Sequence, residues 1–346
     1  MTIVVKLGTS LVAGPGGAVR RTVLSRRARE IASVVQEGEP VAVVSSGAIA
    51  LGLPHLGLDR RPRSVSKLQA ASALGQARLQ RAWETALARH DIHAAQVLLT
   101  AADIADRAAY VNARNALRAL FALRAVPIVN ENDVTATDEI AFGDNDALAA
   151  QVAILVRARL LVLLTEVDGV YTRAPGTPEA QLVGDGSAID EAVLGGTASR
   201  LGRGGMRSKV LAARMAAEAG IPTVIAGGAG ATVLDPILAG EPRGTRFHRT
   251  DRELSAYKLW LRFGKPVTGT LHVDDGARRA VAGQSRSLLA VGVVDCEGRF
   301  EAGDAVELVG PDGVAFARGV AAASSGEIGQ RPHGLEAVHR DRLVVY

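Results

Sequence analysis

Two lysines in this chain sit beside glycine-rich turns, and two clusters of carboxylates and amides lie between them, a set suited to handling charge rather than forming covalent bonds. Lys6 opens the turn Lys6-Leu7-Gly8-Thr9-Ser10, and Ser45-Ser46-Gly47-Ala48 follows the next apolar run. The backbone N–H groups of such turns bind anions where a helix starts. Asn130-Glu131-Asn132-Asp133 follows Val126–Val129, and Gly143-Asp144-Asn145-Asp146 opens a helix-period stretch. One of these residues caps the helix. The others can hold an ammonium group, orient a lysine or ligate Mg²⁺. Thr165-Glu166-Val167-Asp168-Gly169-Val170-Tyr171 follows Leu160–Leu164, and Gly202-Arg203-Gly204-Gly205-Met206-Arg207-Ser208-Lys209 precedes an amphipathic helix. That last turn is either a phosphate site with Lys209 in the first helical turn or a loop with a surface lysine.

Other chemistries are absent from the sequence. No G-x-x-x-x-G-K-[ST] motif occurs, and no G-x-G-x-x-G opens a helix after the first apolar run. The seven histidines follow no metal-ligand spacing and read as structural or solvated. Cys296 is the only cysteine, which excludes an intramolecular disulfide and fits a reducing compartment.

The elements that must position these turns alternate. Strand-length apolar runs at Ile3–Leu7, Val41–Ser45, Ala95–Leu99, Val126–Val129, Leu160–Leu164 and Thr223–Ala226 are nearly continuous, as in strands buried on both faces. Helix-period stretches at Arg21–Gln36, Ser66–Arg89, Ala113–Leu123, Ala147–Val156 and Ser208–Ala219 lie between them. The alternation predicts an α/β fold with a doubly wound, mainly parallel sheet, which binds ligands at the carboxyl ends of its strands. From about Glu241 an arginine-rich connector leads into short strands with turns such as Asp274-Asp275-Gly276 and Pro311-Asp312-Gly313, the pattern of a small β-rich domain. The expected division is 1–245, a connector over 246–267, and 268–346.

Hydrophobic residues make up 48% of the 346, but no run approaches the roughly 20 apolar residues of a membrane span. The chain also lacks a basic segment followed by a long apolar one at its start, so a cytoplasmic protein with no membrane partner is expected. Residues 265–346 carry net −2 against +6 for the rest, and aromatic residues are 3% of the chain, which argues against nucleic acid as a partner.

Lys6-Leu7-Gly8-Thr9-Ser10, Ser46-Gly47-Ala48-Ile49-Ala50, Asn130-Glu131-Asn132-Asp133, Gly143-Asp144-Asn145-Asp146, Asp168-Gly169-Val170-Tyr171 and Gly204-Gly205-Met206 resemble, in order and spacing, the motifs of the gamma-glutamyl kinases in the amino-acid kinase family. Gly269-Thr270-Leu271, Asp274-Asp275-Gly276-Ala277, Ser287-Leu288-Leu289 and Val338-His339-Arg340-Asp341 resemble the PUA domain that often follows. The resemblance implies phosphorylation of the γ-carboxylate of L-glutamate by ATP with Mg²⁺, as the first step of proline biosynthesis. It makes Lys6 and Lys209 the contacts of the transferring phosphoryl group and Asp146 the residue orienting both. Ser46, Asp133 and Asn145 would bind glutamate with Asp144 close by. Thr165, Glu166 and the turn Arg203, Gly204, Gly205, Met206, Arg207, Ser208 and Lys209 would contact ATP. No residue is assigned as a direct metal ligand. Glu166 stands where the family usually has Asp, and Arg203 and Arg207 replace small polar residues.

Phosphoryl transfer to a carboxylate needs no general base, because the acceptor is already ionised at neutral pH. It needs cations and dipoles, since two anions must meet. A free α-ammonium calls for carboxylates such as Asp133 and the Asp144–Asp146 cluster, which favours glutamate over N-acetylglutamate. Aspartate, carbamate and UMP are the other substrates such a fold takes, and an RNA-binding role is the rival reading of the PUA-like tail. The family further implies a homo-oligomer, dimer or tetramer, proline as feedback inhibitor, and glutamyl-phosphate reductase as the consumer of the product.

Overall fold

Branched aliphatic residues in runs of five or six build the centre of the first sheet, because they fill a pleated surface that is covered on both sides. The computed structural model describes residues 1–58, 60–136, 145–189, 205–250, 256–259, 261, 262 and 267–346. The chain forms two compact units, Met1–Glu253 and Leu254–Tyr346.

The strands of the first unit are β1 (Ile3–Leu7), β2 (Val41–Ser45), β3 (Ala94–Leu99), β4 (Val126–Glu131), β5 (Leu160–Thr165), β6 (Thr223–Gly227) and β7 (Thr245–Phe247). They lie in the order β3-β4-β2-β1-β5-β6-β7. All neighbours are parallel except β6 and β7, where the short strand Thr245–Phe247 turns back along the edge. The helices are α1 (Thr9–Val12), α2 (Arg21–Gln36), α3 (Ala48–Gly52), α4 (Val65–Ala88), α5 (Ala101–Ala105), α6 (Arg107–Ala122), α7 (Asn145–Val156), α8 (Met206–Glu218) and α9 (Leu234–Leu238). The chain leaves β1 on one side for β2 to β4 and continues on the other side with β5 to β7. The carboxyl ends of β1, β2 and β5 therefore flank the point where the winding reverses.

Alternation along β1 decides what each face receives. Ile3, Val5 and Leu7 enter a cluster with Leu11, Leu24, Ile31, Leu79 and Trp83 from α1, α2 and α4. Val4 and Lys6 take the other face, where α7 packs on β1 and α8 on β5. A second device closes the α2 side. Arg27 and Glu30, both fully buried, pair at 3.1 Å, and Arg27 Nη2 donates to the carbonyls of Gly230 and Ala231. Glu30 Oε1 accepts from the backbone N–H groups of Val233 and Leu234 at 2.6 and 3.0 Å, which ties the segment after β6 to α2.

The sharpest packing constraint joins α3 to α4. A Cβ at Gly52 would meet the Ala71 carbonyl oxygen at 1.8 Å, and one at Gly75 would meet the Ala48 carbonyl oxygen at 1.8 Å. The two backbones touch, so only glycine fits at either position. The contact fixes the start of α3, where Gly47 at φ +113° lets the chain turn out of Ser45-Ser46.

The second unit has β8 (Val267–Val273), β9 (Leu288–Leu289), β10 (Val293–Glu297), β11 (Ala305–Val309), β12 (Ala315–Ala321) and β13 (Glu336–Val345) in the order β10-β8-β11-β12-β13-β9. Only β8 and β11 pair in parallel. Short helices α10 (Ala256–Leu259), α11 (Asp275–Gln284) and α12 (Ser325–Gly329) accompany them. Asp274-Asp275-Gly276, expected as a turn, instead starts α11, with the Asp274 side chain accepting from Ala277 N–H as its cap. The turn at Pro311-Asp312-Gly313 is present between β11 and β12, with Gly313 at φ +73° and its N–H bonded to Gly310 O. Among the described residues no helix is long and apolar enough to cross a membrane.

The glycine contact yields a direct test. Gly52→Ala and Gly75→Ala each put a methyl into a backbone carbonyl, so each should destabilise the protein by about 3 kcal/mol or more, the upper end of overpacking costs. Gly283→Ala in α11, where a Cβ meets nothing within 4 Å, should leave the melting temperature unchanged or raised. Equal melting temperatures for all three variants would contradict the close crossing.

Candidate active site

Lys6, the penultimate residue of β1, and Lys209, in the first turn of α8, converge on one carboxylate in the first turn of α7. Lys6 Nζ lies 2.5 Å from Asp146 Oδ1 and Lys209 Nζ 3.1 Å from Asp146 Oδ2. All three are buried, Asp146 completely. Ser208 adds a hydrogen bond from Oγ to Asp146 Oδ2 at 2.8 Å. Burial by itself would raise the Asp146 pKa, but the two ammonium groups and their hydrogen bonds outweigh it and bring the carboxyl down to about 2. Asp146 therefore stays ionised at any physiological pH and transfers no proton. It holds two cations together, and being occupied by them it is not a partner for a substrate ammonium.

A second group lies beside the carboxyl end of β2 and β4 and is mostly neutral. Asn145 Nδ2 donates to Ser46 Oγ and to Asn130 Oδ1, both at 2.9 Å, and Asn130 Nδ2 donates to Gln76 Oε1 at 2.7 Å. Asn130 and Glu131 are the last residues of β4, so the strand runs two residues beyond its expected end. One turn before Gln76 on α4, Ser72 Oγ donates to Asp133 Oδ2 at 2.5 Å. Asp133 is 5% exposed, and its burial raises the carboxyl pKa against the opposing pull of Ser72 and Arg61. Trp83 Nε1 donates to Ser45 Oγ at 2.9 Å and fixes the end of β2.

Three atoms of this group are buried without a hydrogen-bond partner among the described residues: Asp133 Oδ1, Asn145 Oδ1 and Gln76 Nε2. Orphaned buried polar atoms are costly and mark places where a ligand completes the bonding. Two of them are acceptors, the complement of an ammonium group. Ser72 and Gln76 were missed by reasoning on the sequence. Their signal was a polar pair four residues apart among Leu68, Ala71, Gly75 and Leu79, all of which are buried on the same helix.

The remaining expected residues fall on the β5 side. Thr165 ends β5 opposite Gly227 and accepts from Gly228 N–H, and Glu166 follows it exposed to solvent. A Cβ at Gly227 would meet Asp168 Oδ1 at 2.6 Å, so Asp168 packs over β6. Gly205 caps α8 without a side-chain bond, so among the described residues no side chain caps the first N–H groups of that thirteen-residue helix, the kind of terminus that accepts an anion. Met206 and Ser208 are half-buried and Arg207 is exposed in the same turn. Asp144, Arg203 and Gly204 lie outside the described residues. Among the described residues no group of three His, Cys, Asp or Glu side chains is placed to hold a metal ion.

Residues 1–227 match the model of the amino-acid kinase family, and residues 269–340 match that of the PUA domain. A glutamate 5-kinase of Pseudomonas putida is 45% identical over 99% of this chain and 97% of its own. One from Burkholderia cenocepacia is 43% identical with the same coverage. A UMP kinase structure from Bacillus anthracis aligns with a TM-score of 0.49 at 18% identity, over 71% of this chain and 95% of that one.

Lys209→Ala tests the charge centre. Removing one preorganised charge-stabilising group costs about 10² to 10³ in kcat, and Lys209→Arg should restore little, because a planar fork does not replace a compact ammonium. A surface lysine is lost at less than about 0.5 kcal/mol, but this one is a counter-charge to a buried carboxylate, so the melting temperature should also fall. The depressed Asp146 pKa means its stabilisation is present above the ordinary carboxylate range and fades as pH drops toward about 2. In the variant that loss should set in at higher pH, visible in melts taken between about pH 3 and 7. Retention of more than about a tenth of kcat, a loss under roughly 1.4 kcal/mol, would remove Lys209 from the chemistry.

Proposed function

The chain belongs to the amino-acid kinase family, and from that premise and the geometry around Asp146 we propose that it transfers the γ-phosphoryl group of ATP to the γ-carboxylate of L-glutamate, forming L-glutamyl 5-phosphate as a glutamate 5-kinase. The observation that carries the reading is a buried pair of lysines clamped on one carboxylate. An ionised acceptor carboxylate needs no base, only relief from meeting the triphosphate's negative charge. Lys6 and Lys209 supply cationic charge, and Asp146 fixes their separation before any ligand arrives, so little reorganisation is needed as charge shifts. The open N-terminus of α8 adds N–H dipoles for phosphate oxygens. Mg²⁺ entering with ATP would add further positive charge at the phosphate oxygens.

On this reading Asp133 and Asn145 receive the α-ammonium group and the Ser46 hydroxyl, which accepts from Asn145, keeps its own hydrogen for a substrate oxygen. Thr165, Glu166 and the turn ending at Lys209 take the nucleotide. An acyl phosphate hydrolyses readily in water, which favours hand-off to a glutamyl-phosphate reductase. Proline as feedback inhibitor, a dimer or tetramer, and work in the cytoplasm rest on likeness to the glutamate 5-kinases.

Trapping the acyl phosphate with hydroxylamine should give hydroxamate with L-glutamate and much less with aspartate or N-acetylglutamate. Equal signal from either competitor would reject glutamate as the substrate.

Asp133 supplies a second test. Its raised pKa means that the charge facing the ammonium is lost as pH falls while ordinary carboxylates remain ionised. KM for glutamate should therefore rise toward acid pH with KM for ATP steady. Asp133→Asn should show a high KM for glutamate that no longer varies over that range. Wild-type KM values for both substrates in Asp133→Asn would return Asp133 to a packing role.

A further inference from the structure

Asn145, Asn130 and Gln76 form a chain of amides whose bonds all run one way. Asn145 spends both amino hydrogens on Ser46 and Asn130, which leaves its carbonyl oxygen, Oδ1, buried and without a partner among the described residues. Asn130 receives at Oδ1 and gives from Nδ2 to Gln76 Oε1. A carboxamide has one donor end and one acceptor end, so no single member can turn over without setting amino group against amino group or oxygen against oxygen. Reversing the whole chain would reverse Asn145 and present an NH₂ group to the ligand instead. The pocket therefore has two possible polarities, one that welcomes a cation and one that welcomes an anion or a lone pair. All three side chains are at least nine-tenths buried, where a mismatched pair is costly.

We infer that Gln76 is a positioning residue for substrate selection: by accepting from Asn130 it sets the amide chain in the direction that offers Asn145 Oδ1 to the substrate's α-ammonium group. This rests on the amino-acid reading of the pocket and deepens it, since through Oε1 Gln76 acts on the ammonium group by way of Asn130 and Asn145. Its place is settled by α4, where Ser72 one turn earlier holds Asp133. One helix thus orients both acceptors, the charged and the neutral.

The test compares L-glutamate with 2-hydroxyglutarate, which keeps both carboxylates and replaces the ammonium by a hydroxyl. Gln76→Met keeps length and bulk but no longer dictates the direction of the chain. It should lower the ratio of kcat/KM for glutamate over the hydroxy acid by about tenfold, through KM for glutamate, with kcat and KM for ATP near wild type. Gln76→Glu can only accept when ionised, so it holds the observed direction and should keep the ratio at or above wild type. A structural role alone would lower the melting temperature and weaken both acids alike, leaving the ratio unmoved. A folded Gln76→Met with the wild-type ratio overturns the inference. If that variant does not fold, Gln76→Glu decides alone, and a tenfold fall in its ratio is then the overturning result. Asp133→Asn run in parallel separates the levels. If it leaves KM for glutamate unchanged the amino-acid reading fails, whereas a raised KM there with an unmoved Gln76→Met ratio sinks only the relay.

Discussion

A carboxylate taken wholly out of water and held between two ammonium groups is the constraint from which the first unit's layout follows. Asp146 is offset at full burial by Lys6 and Lys209, both in reach of it. That demand places the start of α7, the start of α8 and the end of β1 at one point, which the reversal of winding around β1 provides. It also fixes strand register. Sliding β1 by one residue would drive Lys6 into the cluster that Val5 and Leu7 fill, and would expose those two to α7.

The same chain contains a second buried charge pair with the opposite electrostatic outcome. At Arg27 and Glu30 burial dominates, lowering the arginine's pKa and raising the glutamate's, so both are pushed toward neutrality. At Asp146 two cations dominate and the charged form is reinforced. One pair secures a segment after β6 to a helix more than two hundred residues earlier in sequence. The other holds the ends of β1, α7 and α8 together through two cations on one carboxylate. Beside them the amides of Asn145, Asn130 and Gln76 contribute direction without net charge, which keeps the acceptor pocket from competing with Asp146 for the lysines.

Much of this was legible in the sequence where one physical signal dominated. The six apolar runs became six parallel strands, five of them covered on both faces as expected, whereas β3 at the sheet edge leaves Gln96 and Leu98 exposed. β7 was hidden because three residues, Thr245–Phe247, within an arginine-rich stretch carry no periodicity. α1 and α3 are too short to show a helical period, and at Asp274 the same residues that make a turn make a helix cap. In the site, Lys6, Asp146 and Lys209 could be picked out by motif, but burial could not, since a lysine in a first helical turn ordinarily faces water. Ser72, Gln76 and Trp83 were invisible for the converse reason. Their role comes from partners 61, 54 and 38 residues away, and local sequence does not encode such pairings.

The backbone contact between α3 and α4 bears on how such a pocket can change. Gly52 and Gly75 face carbonyl oxygens, and no repacking of side chains moves a carbonyl out of the way. There is thus no gradual route, one methyl at a time, to a wider gap between the helix that follows Ser46 and the helix that carries Ser72 and Gln76. Divergence toward other acids has to proceed by exchanging the groups mounted on a wall of fixed spacing, which confines new specificities to ligands of nearly the same length.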